Sequence, residues 1–266
     1  MLEEAVSIRV EEKITLRGHV YRQEGQDLCS AVKKHLLILC HGLPPAPVER
    51  KEEPAERQKD GGYPALARRC AQALSLPVFH FNFRGTGESG GDFDLAGWRR
   101  DLTAFLDFWE EREKFSDFTL WGFSAGGAVS ACVAASDQRV KNLILAASPA
   151  DFRELFPPEN LQELIARFRA TGIIHDPGFP YDPAQWLENI YTTDPVLVLP
   201  LFAPRPLLII HGTGDELIPL SHAFRLFHAS GKNRQLQILP RAIHQLRKED
   251  QAVESSLEWL RNIMQN

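Results

Sequence analysis

The sequence is poor in cysteine and methionine and has no long apolar run. Its 266 residues include four cysteines and two methionines. No pair of these cysteines, at positions 29, 40, 70 and 132, has the close spacing of a zinc or redox site. The longest apolar runs, Leu36–Cys40 and the proline-broken Val196–Ala203, are far shorter than the ~18–20 residues that cross a bilayer. We therefore predict buried free thiols, no metal site and no membrane span.

Basic residues are outnumbered by acidic ones. There are 30 lysines and arginines against 35 acidic residues, which gives a net charge of −5. This balance supplies no broad cationic field, so nucleic acid and anionic membrane surfaces are poor partners. The amino terminus is acidic and lacks the basic and then apolar stretches of a signal peptide. We therefore expect a cytoplasmic globular protein that acts on a small molecule; the composition does not indicate an oligomeric state.

Short strand-like runs alternate with helical patterns along the chain. An antiparallel hairpin is predicted over Ala5–Val10 and Ile14–Tyr21. Further strands are predicted at His35–Cys40, Val78–Phe83, Phe118–Phe123, Leu143–Ala147, Leu207–Ile210 and Leu236–Leu239. Helical patterns cover Tyr63–Leu74, Leu95–Glu111, Ala125–Ala135, Ser221–Ala229 and Glu249–Ile263. This alternation predicts an α/β fold, with a largely parallel sheet covered on both faces by helices.

Two stretches interrupt the alternation. Residues 44–62 are proline-rich and charged and have no apolar face, which predicts a solvated loop or a flap over a site. Residues 151–200 are aromatic-rich and partly helical, with apolar side chains at i, i+3, i+4 and i+7 from Leu161 to Phe168. We interpret 151–200 as a small cap inserted into a single domain that spans residues 1–266.

A Gly-x-Ser-x-Gly motif occupies Gly122–Gly126, between a predicted strand and a predicted helix. In this setting a serine sits on a sharp turn, the nucleophile elbow, and projects from the edge of the sheet. The glycines are required because side chains there would collide with the neighbouring strand and helix. Ser124 also begins a helix, whose free N–H groups favour a developing negative charge. Ser124 is therefore the candidate nucleophile.

A serine nucleophile needs a base that is itself oriented by a carboxylate. Asp215 follows one of the last two predicted strands and His244 follows the other, so both can meet Ser124 at one edge of a parallel sheet. Of nine histidines, His244 alone lies in the first loop after the final strand. Glu216, the neighbour of Asp215, remains an alternative acid.

Backbone and aromatic groups complete the predicted site. His41-Gly42-Leu43 follows a buried strand, so the Leu43 and Ala125 N–H groups are predicted to form an oxyanion hole. Four aromatic residues are candidates for an acyl pocket, although such residues also build cores. They are Phe123, Phe179, Tyr181 and Trp186.

The segment Gly85–Gly90 has the Gly-x-Gly-x-x-Gly spacing of a dinucleotide site. No helix begins directly after it, and Phe108-Trp109-Glu110, about 20 residues further on, is predicted to be helical and supplies no acid at a strand end. We interpret the segment as a structural turn.

Taken in order, His41-Gly42, Arg84–Gly90, Gly122–Gly126, Asp215 with Pro219, and His244 resemble the landmarks of the α/β-hydrolase superfamily. The chain is similar to small bacterial esterases, lysophospholipases and serine aminopeptidases. The resemblance implies an eight-stranded, mostly parallel sheet whose second strand is antiparallel. It also implies Ser124 as nucleophile, His244 as base, Asp215 as acid, and Leu43 and Ala125 as oxyanion donors, with no cofactor.

The sequence thus predicts a serine hydrolase that cleaves carboxylic esters through an acyl-enzyme. A peptidase would use the same triad and would need a carboxylate for the free amine of its substrate; the candidates are Glu154, Glu159, Glu163 and Asp176. A thioesterase for coenzyme A esters would need a basic mouth; the candidates are Arg153, Arg167 and Arg169. A non-catalytic ligand-binding protein of the same fold is the remaining alternative.

Overall fold

Eight strands form one sheet in the order β1-β2-β4-β3-β5-β6-β7-β8. The structure, a computed structural model, describes residues 1–24, 35–45 and 61–265. The strands are β1 Leu2–Glu11, β2 Ile14–Arg22, β3 His35–Cys40, β4 Val78–Asn82, β5 Asp117–Phe123, β6 Val140–Ala146, β7 Leu207–Gly212 and β8 Arg234–Leu239. β2 pairs antiparallel with both β1 and β4, and every other pairing is parallel. The predicted α/β fold with an antiparallel second strand is confirmed.

Eight α-helices connect and cover the strands in the described ranges. They are α1 Gly62–Leu74, α2 Leu95–Glu113, α3 Ala125–Ser136, α4 Leu161–Thr171, α5 Pro183–Tyr191, α6 Pro195–Val198, α7 Leu220–Ala229 and α8 Asp250–Gln265. Short 3-10 helices lie at Pro158–Asn160, Leu199–Phe202 and Leu246–Lys248. Within the same ranges, no helix combines the length and the apolarity that crossing a bilayer requires.

The central strands are apolar throughout because both faces of the sheet are covered. Along β3, Leu36 and Ile38 belong to a core shared with α2 and α3, whereas Leu37 and Leu39 belong to a core shared with α1 and α8. Side chains alternate between the two faces of a strand, so a strand buried on both faces cannot show polar alternation. This is the physical basis of the continuous apolar runs.

Two of the parallel strands begin two or more residues earlier than the sequence predicts. β6 starts at Val140, ahead of the predicted Leu143, and β8 starts at Arg234, ahead of the predicted Leu236. In both strands the additional residues include polar side chains, and they pair with a neighbouring strand through backbone groups. A pattern of apolar residues indicates only the buried part of a strand, so it does not predict a strand start that contains polar residues.

Residues 151–200 pack onto the main core. α4 buries Leu164, Ile165 and Phe168, and the Phe168 ring lies 4.8 Å from the ring of Phe93. The Asp182 carboxylate caps α5 by accepting a hydrogen bond from Gln185 N, with Pro183 in the first turn. The predicted helical patterns of this segment are therefore confirmed. The predicted loop or flap at 44–62 falls mostly on residues 46–60, outside the described residues.

The free cysteines of the described ranges are buried, as predicted. They are Cys40, Cys70 and Cys132, and burial raises the pKa of each thiol. Cys29 lies outside the described residues.

Candidate active site

Ser124 stands at a sharp turn between β5 and α3. Its backbone has φ 52° and ψ −129°, a region that side-chain-bearing residues rarely adopt. The turn is held by hydrogen bonds from Ser124 N to the Ala146 carbonyl at 2.9 Å and from Gly127 N to the Ser124 carbonyl at 2.8 Å. The elbow is thus fixed to β6 on one side and to its own helix on the other.

The glycines of the motif are required by close backbone contacts. A Cβ at Gly122 would lie 2.4 Å from Gly127 Cα, and a Cβ at Gly126 would lie 2.2 Å from the His41 carbonyl oxygen. A Cβ at Gly42 would lie 2.7 Å from Ser124 Cβ. These distances are below any real Cβ contact, so the segment after β3 packs directly against the elbow.

The structure brings Ser124, His244 and Asp215 together in one hydrogen-bonded chain. His244 Nε2 lies 3.0 Å from Ser124 Oγ, and His244 Nδ1 lies 2.8 Å from Asp215 Oδ2. An ionised carboxylate can only accept, so Nδ1 carries the proton and the Nε2 lone pair faces the serine hydroxyl. Glu216, the alternative acid, is exposed, whereas the Asp215 side chain is fully buried.

The Asp215 carboxylate is held on both oxygens. Oδ1 accepts hydrogen bonds from Leu217 N at 3.0 Å and Ile218 N at 2.9 Å, while Oδ2 faces His244. Burial by itself raises the pKa of the Asp215 carboxyl group. Three interactions outweigh burial and hold this pKa below its ordinary value: the hydrogen bond to His244, the charge of His244, and the hydrogen bond from Ile218 N. The carboxylate therefore stays ionised next to the imidazole.

The other histidines of interest make structural contacts. His41 Nδ1 lies 2.7 Å from the Gly42 carbonyl, and His41 Nε2 accepts a hydrogen bond from Phe83 N at 3.0 Å. This bonding fixes the turn that precedes Leu43, and burial lowers the pKa of His41 to about 4. His222 Nδ1 accepts a hydrogen bond from Ala150 N at 3.0 Å.

Tyr63, at the start of α1, is a residue of this site that the sequence reasoning missed. Its ring lies 5.6 Å from the Phe123 ring and 6.1 Å from the His41 ring, and the Arg247 guanidinium lies 5.4 Å from its centroid. Burial raises the pKa of Tyr63, while a backbone hydrogen bond with Gly42 opposes the increase. Tyr63 follows a stretch of sequence that is charged and has no apolar pattern, so no local signal indicates these contacts.

The four predicted pocket residues lie in different environments. Phe123 is buried and stacks on Trp121 at 5.4 Å, and Phe179 is half-buried. Trp186 is buried in the core, where its indole N–H donates to the Phe93 carbonyl at 3.1 Å. Tyr181 is 79% exposed and its hydroxyl donates to Asp176. Their assignment to a substrate pocket stays a prediction.

The Gly85–Gly90 segment forms a compact turn. Gly85 N donates to the Gly90 carbonyl at 3.1 Å, and Gly90 N donates to the Thr15 carbonyl at 2.9 Å. The turn therefore ties the end of β4 to the amino-terminal hairpin. In the described ranges, no group of three or more His, Cys, Asp or Glu side chains is arranged to hold a metal ion.

Comparisons with known proteins agree with this architecture. A family model described as "Prolyl oligopeptidase family" matches residues 71–266. The uncharacterized protein YfhR of Escherichia coli O157:H7 is 26% identical over 171 residues, which cover 63% of this chain and 52% of that protein. The chain thus spans about half the length of the curated relatives it matches.

Solved structures show the same fold at low sequence identity. The mouse alpha/beta hydrolase domain-containing protein 10 superposes with a TM-score of 0.69 at 16% identity, over 98% of both chains. The Pyrococcus furiosus esterase Pf2001 superposes with a TM-score of 0.65 at 18% identity, over 98% of this chain and 92% of that one. With the family model matching well over half of its length, the chain belongs to the prolyl oligopeptidase family.

Proposed function

We propose that this hydrolase cleaves carboxylic esters through an acyl-enzyme formed on Ser124. The observation that carries the proposal is the hydrogen-bonded chain from Ser124 Oγ to His244 Nε2 at 3.0 Å and from His244 Nδ1 to Asp215 Oδ2 at 2.8 Å. A serine hydroxyl is a weak nucleophile at neutral pH, and an adjacent oriented base is the arrangement that activates it.

In the first step Ser124 Oγ bonds to the ester carbonyl carbon while its proton passes to His244 Nε2. The resulting imidazolium is stabilised by Asp215, whose carboxylate is already ionised and fixed. The carbonyl oxygen becomes an oxyanion.

That oxyanion is stabilised by the Leu43 and Ala125 N–H groups. Ala125 is the first residue of α3, and a first-turn N–H has no acceptor within its own helix. Leu43 follows Gly42, whose Cα packs against Ser124. Each oxyanion donor typically contributes about 3 kcal/mol to lowering the barrier.

Collapse of the tetrahedral intermediate breaks the bond to the alcohol oxygen, which takes the proton from His244. Water then attacks the acyl-Ser124 while His244 removes its proton, and a second collapse releases the acid and restores the serine hydroxyl. No cofactor takes part in these steps.

Three of the seven charged candidates in 151–200 are held in contacts within the protein, which weighs against a role for them in binding a charged substrate. Asp176 is engaged by Tyr181 and by Gly178 N. Arg169 donates to the Pro177 and Phe179 carbonyls, and the Arg153 guanidinium lies over the Tyr191 ring at 4.4 Å. Groups held in contacts of this kind are less available for a substrate amine or a coenzyme A phosphate.

A peptidase acting on short amides is the second candidate, and the family match at residues 71–266 favours it. The triad chemistry is the same for both candidates, so substrate preference separates them. The Pyrococcus furiosus neighbour is described as an esterase, which is in keeping with the ester proposal.

The test combines a fluorophosphonate probe with a substrate panel. We expect the probe to label wild type at Ser124 and to leave Ser124→Ala unlabelled, a difference that a non-catalytic binding protein would not show. Aryl esters of short and long acids, acyl coenzyme A thioesters and aminoacyl amides are then compared by kcat/KM. Faster cleavage of amides than of every ester would replace the ester proposal with the peptidase, and wild-type turnover by Ser124→Ala would overturn the mechanism.

A further inference from the structure

His211 is a second imidazole beside the carboxylate that faces His244. It lies at the end of β7, four residues before Asp215, and its side chain is buried. His211 Nε2 lies 2.9 Å from the Ile218 carbonyl oxygen and 3.4 Å from Asp215 Oδ2. Both oxygens are acceptors, so Nε2 carries the proton of the neutral ring.

The hydrogen bond made by this proton fixes the conformation of the loop that carries Asp215. His211 donates to the Ile218 carbonyl, and the Ile218 N–H donates in turn to Asp215 Oδ1 at 2.9 Å. The carboxylate is therefore fixed from two sides, by the backbone of Ile218 on Oδ1 and by the imidazole of His244 on Oδ2. Rotation of the carboxylate away from His244 would break the bonds on both oxygens.

The surroundings of the other ring nitrogen, His211 Nδ1, favour the neutral form of the ring. Nδ1 is buried and has no hydrogen-bond partner among the described residues, so a proton there would be a buried donor without an acceptor. Burial lowers the pKa of His211; Asp215 and the Ile218 carbonyl oppose this decrease, and His244 adds to it. His222, on α7, is a nearby titratable group; burial lowers its pKa, and the charges of Arg225 and His211 act in the same direction.

We propose that neutral His211 is a positioning residue for the triad acid, which it holds in the orientation that Asp215 needs to face His244. The inference rests on the proposed function, because it assumes that Asp215 and His244 serve Ser124. His211 does not contact the reacting atoms; it acts through Ile218 and Asp215. Displacement of a catalytic group by about 1 Å costs roughly 100-fold in rate.

Two substitutions separate the hydrogen bond from the volume of the ring. His211→Gln retains a donor at about the position of Nε2, whereas His211→Met fills the space without a donor. We expect His211→Met to lower kcat roughly 10- to 100-fold with KM within about twofold, and His211→Gln to restore most of kcat. The low-field proton NMR signal of the His244–Asp215 hydrogen bond should weaken in His211→Met and persist in His211→Gln.

His222→Met is the matched control. His222 is equally buried, and it accepts its hydrogen bond from Ala150 N rather than bonding to a triad residue. We expect this variant to lose thermal stability as His211→Met does but to keep kcat within about twofold. Equal losses of kcat in the two variants would show a general structural effect and would overturn the proposal.

Measurements on wild type keep the proposal testable if His211→Met does not fold. Nitrogen-15 NMR should show His211 as the neutral tautomer protonated at Nε2; a ring protonated at Nδ1, or at both nitrogens, would overturn the proposal. Fluorophosphonate labelling distinguishes failure of the positioning role from failure of the proposed function. Wild type that is labelled, together with a fully active His211→Met, overturns the positioning role alone, whereas wild type that stays unlabelled overturns the proposed function and this inference with it.

Discussion

Gly126 packs so closely on His41 that a Cβ at position 126 would lie 2.2 Å from the His41 carbonyl oxygen. The Cys40 carbonyl oxygen would be only 2.4 Å from the same Cβ. Both are backbone atoms of β3 and its following turn, so neither can move aside like a flexible side chain. This contact sets the distance between the nucleophile elbow and the segment that holds Leu43.

Gly126→Ala is therefore expected to destabilise the fold and the site together. Overpacking of this kind typically costs about 1–3 kcal/mol and more where only backbone can yield. Gly90→Ala is the matched control, because its nearest atom, the Lys13 carbonyl oxygen, would be at an ordinary 3.6 Å. Urea unfolding should show a large loss of stability for Gly126→Ala and little change for Gly90→Ala; equal midpoints in the two variants would contradict the close packing of Gly126 on β3.

Tyr63→Phe tests the contact between α1 and the segment after β3. The substitution removes the hydroxyl that bonds with the Gly42 backbone but keeps the ring on Phe123 and His41. The lost hydrogen bond predicts a fall of about 1 kcal/mol in the unfolding free energy. We also expect a lower kcat with little change in KM, because the segment that holds Leu43 is held less firmly. Tyr21→Phe, which removes a hydroxyl bonded to Glu3 in the amino-terminal hairpin, should leave ester turnover at the wild-type level.

Stability should fall as the pH drops from about 6.5 towards 4, because several histidines are buried in neutral form. Burial lowers the pKa of His80 from 6.5 to about 4, with the charges of His19 and His41 acting in the same direction. In this window the unfolded chain binds a proton that the folded chain does not, so the stability present above pH 6.5 is progressively lost. For His80 alone the loss is on the order of 3 kcal/mol.

His80→Gln should make the pH dependence of the unfolding free energy shallower by up to one proton between pH 6.5 and 4. The replacement is uncharged at every pH, so its folded and unfolded states no longer differ in proton binding at this position. His228→Gln, on the more exposed side of α7, provides the control and should keep the wild-type slope. Identical slopes for wild type and His80→Gln would show that this histidine does not contribute.

The buried ion pair between Arg84 and Asp101 is expected to be important for stability. Arg84 Nη2 lies 2.7 Å from Asp101 Oδ1, and Arg84 N donates to Asp101 Oδ2 at 2.9 Å. Asp101→Leu leaves the buried guanidinium with the half-exposed Glu11 as its remaining ionic partner, and breaking a buried pair typically costs about 3–5 kcal/mol.

Thermal or urea unfolding measures this loss. The exposed pair of Arg69 and Asp250 supplies the comparison, because screened surface pairs contribute at most about 1 kcal/mol. Asp250→Asn should therefore remain close to wild type. A similar small effect for Asp101→Leu would show that the Arg84 charge is compensated in another way.

The fold class and the elbow follow from the amino-acid sequence alone. Strands buried on both faces must be apolar at every position, so runs such as His35–Cys40 are recognisable without any structure. Backbone contacts below 3 Å exclude side chains, so Gly122 and Gly126 mark the turn around Ser124. The convergence of the serine, the acid and the histidine is expected because each follows a strand that ends at the same edge of the sheet.

Which side chains meet is set by the tertiary structure. Asp215 rather than the adjacent Glu216 faces His244, because the Leu217 and Ile218 N–H groups turn the Asp215 carboxylate inwards. Tyr63 contacts Phe123, which is distant in sequence, and His211 contacts Ile218, which lies in the irregular loop after β7. No periodic pattern in the sequence indicates either contact. Local patterns report burial and backbone shape, whereas side-chain pairing depends on how separate loops converge.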